Sequence, residues 1–208
     1  MLLCAIDPSF TKTGITVLDL SNKQIDFYTI SPVGTNDNFL LTLNRASFIA
    51  DKIEELITSD TIVITEEPLF SSIKASSLGI LAGILYSKLN STEKIKELYS
   101  IKPSYVAHLN TPIAKKFKLN KKQASLYVVN SIIDKLREVG FTININNPDK
   151  LKKDGTEKVR KLSHDEAESF LILLVLLRYK GLINSDIDEF LFAINERFKN
   201  KQNIEKLK

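Results

Sequence analysis

Glycine is scarce in this sequence, with seven among 208 residues, and there is one cysteine and two histidines. A single cysteine excludes an internal disulfide, and Cys4 stands within an apolar run, where it reads as a core residue rather than a nucleophile or metal ligand. That usage fits a reducing, intracellular compartment. The longest uninterrupted apolar run, Phe170 to Leu177, falls far below the roughly 18 residues that span a bilayer. The opening Met-Leu-Leu-Cys-Ala-Ile-Asp lacks a charged lead-in and reaches an acid at Asp7, so neither a signal peptide nor a membrane anchor is expected. There is no internal repeat and no segment biased enough to form a separate disordered region. What is present is charge: 26% charged residues against 43% apolar ones, a formal net charge of +4 and a pI near 9.0. A basic surface favours an anionic partner, and the length suits one domain over residues 1–208.

The apolar pattern orders the elements. Leu2 to Ile6 is a continuous apolar run ending at Asp7, as expected of a strand buried on both faces. Gly14 to Leu20 and Gln24 to Ile30 flank the turn-forming Ser21-Asn22-Lys23 and predict a hairpin. Phe39 to Thr58 has helical spacing. Thr61 to Thr65 is a second buried strand, ending at Glu66-Glu67-Pro68. Ser72 to Leu89 reads as a helix carrying small residues, Leu98 to Ile101 as a strand, and Lys121 to Val139 as a helix stopped by Gly140. The lysine-rich stretch from Asn144 to Ser163, with Pro148 and Gly155, reads as a basic loop. His164 to Tyr179 predicts a largely apolar helix, and Asp186 to about Phe198 another, followed by a frayed basic tail to residue 208. Three strands, then helix, strand, helix, strand and terminal helices predict an α/β fold. The order suits a ribonuclease H-like mixed sheet flanked by helices better than a doubly wound parallel sheet.

Two central strands therefore end in acids, Asp7 and Glu66, and a late helix opens His164-Asp165-Glu166-Ala167-Glu168. Residues three apart share a helix face, so Asp165 and Glu168 can meet at one spot while Glu166 points elsewhere. Four converging carboxylates repel one another without a counter-ion, and oxygen ligands select Mg²⁺ or Mn²⁺. Two such ions about 4 Å apart serve phosphodiester hydrolysis.

These residues resemble the RuvC family of Holliday-junction resolvases. Ala5-Ile6-Asp7-Pro8, with Gly14 after a short turn, looks like the family's opening motif, with Ser9 where glycine is usual. Ile62-Val63-Ile64-Thr65-Glu66-Glu67-Pro68 is similar to its second motif, a hydrophobic strand ending in the catalytic Glu. Leu78-Gly79 and Gly83 resemble its Leu-Gly-x-x-x-Gly helix. Asp165-Glu166-Ala167-Glu168 resembles its Asp-x-Ala-Asp start, with Glu168 replacing the aspartate. Lys118-Leu119-Asn120-Lys121-Lys122-Gln123 keeps the lysines of a family turn without its glycines. The resemblance runs from about Leu2 to Leu177. It implies a Mg²⁺-dependent endonuclease, with Mn²⁺ as a substitute, acting on four-way junctions as a homodimer in the cytoplasm of a bacterium or phage-infected host.

On this reading Asp7, Glu66, Asp165 and Glu168 are catalytic metal ligands around two ions, with Glu67 as fallback for Glu66 and His164 as an auxiliary base or proton shuttle. Lys121, Lys122, Lys150, Lys152, Lys153, Lys158, Arg160 and Lys161 are expected to contact DNA phosphates. Phe10, Phe70 and Tyr105 suit core packing or loop anchoring better than wedging into a branch point. His108 has no marked role. Other branched-DNA nucleases remain open, as do a nuclease-dead DNA-binding protein and an actin or sugar-kinase type phosphotransferase. Against the last stands the lack of a second glycine-rich phosphate loop.

Overall fold

The computed structural model describes residues 1–34, 38–67, 75–103, 111–146, 161–183 and 204–208. The strands are β1 (Leu2–Asp7), β2 (Thr13–Asp19), β3 (Gln24–Ile30), β4 (Thr61–Glu66), β5 (Ile95–Ile101), β6 (Thr142–Asn146) and β7 (Ile204–Lys206). The helices are α1 (Phe39–Leu56), α2 (Ala75–Ser91), α3 (Thr111–Phe117), α4 (Lys121–Glu138) and α5 (His164–Tyr179). The strands form one sheet in the order β6-β3-β2-β1-β4-β5-β7. β1, β2 and β3 make the expected antiparallel meander, while β4 joins β1, and β5 joins β4, in parallel. β6 lies parallel to β3, and β7 antiparallel to β5, at the two edges.

The departures from the sequence reading are local; one is helix α3, for which the sequence reading had no element. Residues 144–146, expected in the basic loop, belong to β6, because the Asn144 and Asn146 amides donate to Asp26 Oδ1 at 2.8 and 3.1 Å and so settle polar side chains on the sheet. β7 lies in what reads as a frayed tail. The helix expected at Asp186 to Phe198 falls outside the described residues, as do Phe70, Tyr105 and His108.

Side chains alternate across a strand, and the sheet therefore builds two cores. On one face Leu3, Ala5, Ile62 and Ile64 pack with Val128, Val129 and Ile132 of α4 and with the apolar residues of α5. On the other, Cys4, Ile6, Ile15, Val17 and Val63 pack against Ile49 and Ile53 of α1 and Leu81 and Leu85 of α2. Cys4 is fully buried, as its apolar context predicts. Phe10 is also buried, with the Arg45 guanidinium 5.5 Å from its ring centroid and donating to its carbonyl at 2.5 Å. It packs in the core rather than standing free. Helix α5 is buried continuously from Glu166 to Leu177, the pattern of a helix apolar all round and enclosed by its domain. Among the described residues no helix is long and apolar enough to cross a membrane.

Candidate active site

The alternation that divides the cores also aims the acids. Asp7 follows Leu3 and Ala5, and Glu66 follows Ile62 and Ile64, so both carboxylates leave their strand tips on the α5 face. Glu67 has the opposite parity. It accepts a hydrogen bond from Ser100 Oγ at 2.8 Å, and its charge bears on Tyr86.

Gly14 brings the third acid in. It pairs with Asp7 in the β1–β2 register, and a Cβ built on it would lie 2.0 Å from the Asp165 carbonyl oxygen. The helix start thus rests directly on the sheet backbone beside Asp7. Three further contacts hold it there. Ser163 caps the helix, accepting from the Glu166 amide at 3.3 Å while Glu166 Oε2 accepts from the Ser163 amide at 2.8 Å. Glu166 Oε1 accepts from Thr29 Oγ1 at 2.9 Å. Thr16 Oγ1 and Ser169 Oγ are 2.7 Å apart. Glu166, expected to point away from the site, is fully buried and serves as this clamp.

The remaining contacts come from α4. Its start is fixed by a capping box between Asn120 and Gln123, after a turn in which Lys118, with φ 54°, takes the left-handed conformation usually given to glycine. Lys121 and Lys122 then occupy the first turn of a helix, where the dipole disfavours cations. An acid neighbour offsets this: Lys121 Nζ lies 3.8 Å from Glu168 Oε2. Ser125, one turn later, donates to Glu168 Oε1. His164 Nε2 is 3.2 Å from the same Oε1, as an ion pair without hydrogen-bond alignment, and His164 Nδ1 is 4.0 Å from Asp165 Oδ1.

The electrostatics register the crowding. Burial first, then the charges of Glu66, Glu168 and Asp165, push the Asp7 carboxyl well above the carboxylate range, with His164 opposing. Burial pushes Glu66 up to about 7; Lys121 opposes the rise and Glu168 adds to it. For Asp165 and Glu168 burial acts upward too, but is outweighed by His164, joined at Glu168 by Ser125 and Lys121, and both are lowered. Polar contact with Asp165 and then Glu168 raises His164 to about 9, against burial. The site therefore keeps its own cations, Lys121 and His164, and Lys12 also bears on Asp165.

Among the described residues no three acids or histidines are gathered at the spacing of a closed metal shell. The donor set nonetheless suits a hard divalent cation: four carboxylates, two of them driven toward protonation by burial and mutual repulsion, which such a charge would relieve. Of the expected phosphate contacts, Lys121 faces Glu168, Lys122 and Lys161 are exposed, and Lys150, Lys152, Lys153, Lys158 and Arg160 lie outside the described residues. Sequence reasoning missed Ser125, Lys12 and the close approach at Gly14. Only Ser125 left a trace, as the polar member of the otherwise apolar buried face of α4.

No family model matches the chain, and no curated protein does. Solved structures do. The RuvC structure of Thermus thermophilus is 16% identical and overlays with a TM-score of 0.50, covering 87% of this chain and 97% of that one. The same protein in complex with a Holliday junction substrate gives 14% identity, 87% and 96% coverage and a TM-score of 0.48. A fowlpox virus resolvase in complex with Holliday junction DNA gives 18%, 88% and 100%, and 0.48. The fold is RuvC-like, the ribonuclease H-like mixed sheet that the order of elements predicts.

Proposed function

We propose that the chain is a divalent-metal-dependent endonuclease that resolves four-way DNA junctions. The observation that carries this reading is the meeting of Asp7, Glu66, Asp165 and Glu168, from two strand tips and one helix start, in a single electrostatic cluster on the α5 face. A nuclease-dead binding module has no use for clustered negative charge beside a phosphate backbone. These four residues would hold Mg²⁺ or Mn²⁺, which when bound activates a water and stabilises the leaving oxygen.

The chain's own groups do the rest. The positive end of the α5 dipole faces the acids of its first turn and lowers the cost of gathering them. His164, raised to about 9 by Asp165 and then Glu168, offsets part of their charge, and its place beside both acids also suits an auxiliary base or proton shuttle. Lys122 and Lys161, both exposed, supply phosphate contacts that fix the strand without reading bases. In this reading the basic residues of the run 150–161 add further phosphate contacts. Two symmetric cuts in a four-way junction call for two sites related by a two-fold axis, hence a homodimer. Among the described residues nothing lies within 4 Å of a Cβ built on Gly79 or Gly83 of α2, which makes that helix a candidate for the interface.

A gel assay comparing four-way junction, fork and linear duplex, each with Mg²⁺, Mn²⁺ or chelator, tests the proposal. The expected result is paired cuts in the junction that need a divalent ion. Cleavage that survives chelator, or no cleavage of any substrate with either ion, refutes it.

A further inference from the structure

Ser125 is fully buried on the face of α4 that packs against α5, beside Ala124, Val128 and Val129. Alanine would fill such a position and favour the helix more. The serine is therefore explained by what its hydroxyl touches. Oγ stands 3.1 Å from the Lys121 carbonyl, the usual backbone acceptor one turn earlier, and also donates to Glu168 Oε1. A hydroxyl has one proton to give, and a carboxylate holds it more strongly than a neutral carbonyl. The carbonyl remains as a second acceptor, so the serine leaves no buried donor unsatisfied if the carboxylate shifts.

Glu168 needs such a tether. Its side chain has one more rotatable bond than an aspartate, and ordering a flexible side chain costs conformational entropy. Ser125 and His164 both engage Oε1, while Oε2 is the oxygen on the Lys121 side. Resting on the metal-nuclease reading above, we propose that Ser125 is a positioning residue that fixes the Glu168 carboxylate by Oε1 and so holds it ready for a divalent cation. Hydrogen-bond partners of a ligating carboxylate typically contribute about 10- to 100-fold in metal affinity.

Free Mn²⁺ measured by electron paramagnetic resonance during titration of the full chain tests this without reference to cleavage. Ser125→Ala is expected to weaken Mn²⁺ binding about tenfold or more while melting with the wild type, and Ser125→Thr, which restores the hydroxyl, to recover affinity. Ser125→Ala binding Mn²⁺ as tightly as wild type overturns the proposal and leaves the nuclease reading intact. Ser125→Thr binding no better than Ser125→Ala, with both melting normally, overturns it as well. Wild-type protein that binds no Mn²⁺ refutes the metal reading itself, and this inference with it.

Discussion

Replacing Gly14 by alanine tests whether the sheet backbone sets the spacing of the acids. The added Cβ would meet the Asp165 carbonyl oxygen at 2.0 Å, its carbonyl carbon at 2.3 Å and the Glu166 amide at 2.9 Å. All three are backbone atoms, so no side chain can swing aside, and ordinary contact begins only at 3.4 Å. The start of α5 must retreat by more than an ångström from β2. It cannot do so freely, because the helix is enclosed through Leu177 and is tied to the sheet through Thr29 and Thr16. Overpacking of this kind costs about 3 kcal/mol, which in a chain of this size lowers Tm by roughly 6–12 °C. Asp165 moves with its backbone while Asp7 stays on β1, and a misplacement of about 1 Å costs on the order of 100-fold in rate. Thermal melting and single-turnover cleavage of a four-way junction at saturating Mg²⁺ read the two effects separately. A Gly14→Ala protein that melts within about 2 °C of wild type and cleaves at the wild-type rate refutes the reasoning.

Three further outcomes follow from the same geometry. Asp7→Asn and Glu66→Gln should lose cleavage by several orders of magnitude yet keep junction binding in a gel-shift assay, whereas Glu67→Gln, on the other face of β4, should stay active; the reverse pattern would overturn the assignment from strand parity. Ser163→Ala removes the acceptor of the Glu166 amide and should cost about 1 kcal/mol, or roughly 2–4 °C in Tm; an unchanged Tm would show that the cap does not hold α5. Glu97 is held down at about 2 by Lys180, 2.6 Å away, then by Tyr99 and Lys206. Its folded value lies below the ordinary 4.5, so its contribution is present above pH 4.5 and is lost as pH falls through about 2. The stability gap between wild type and Glu97→Gln should therefore be constant near neutrality and close between those values in pH-dependent denaturant melts. A gap that widens in acid would contradict the ion pair.

Much of the fold was legible because its central strands obey simple rules. β1 and β4 are apolar runs ending in acids, and their tips became site residues by geometry alone. β6 escaped because Thr-Ile-Asn-Ile-Asn resembles a polar loop until Asp26 is set beside its asparagines, a partner more than a hundred residues away. β7 escaped because three residues acquire meaning only against β5. At the site, Asp165 and Glu168 were legible from helical spacing. The role of Glu166 was not, since a residue facing away from one neighbour faces another, here Thr29. Choosing Glu66 over Glu67 rested on resemblance, although counting alternate residues back from each acid to Ile62 and Ile64 gives the same choice on physical grounds. Lys121 read as a phosphate contact because its partner Glu168 lies on another helix.

Helix α5 carries two of the four acids, Asp165 and Glu168, at its start and spends nearly all its remaining length inside the core. On the proposed nuclease reading, the protein cannot be silenced by swinging that helix, since withdrawing Asp165 would mean unpacking the domain. Control over the proposed cutting would then come from outside the protein frame: from the supply of cations, from occlusion of the site, or from whether the DNA presents a shape that reaches it.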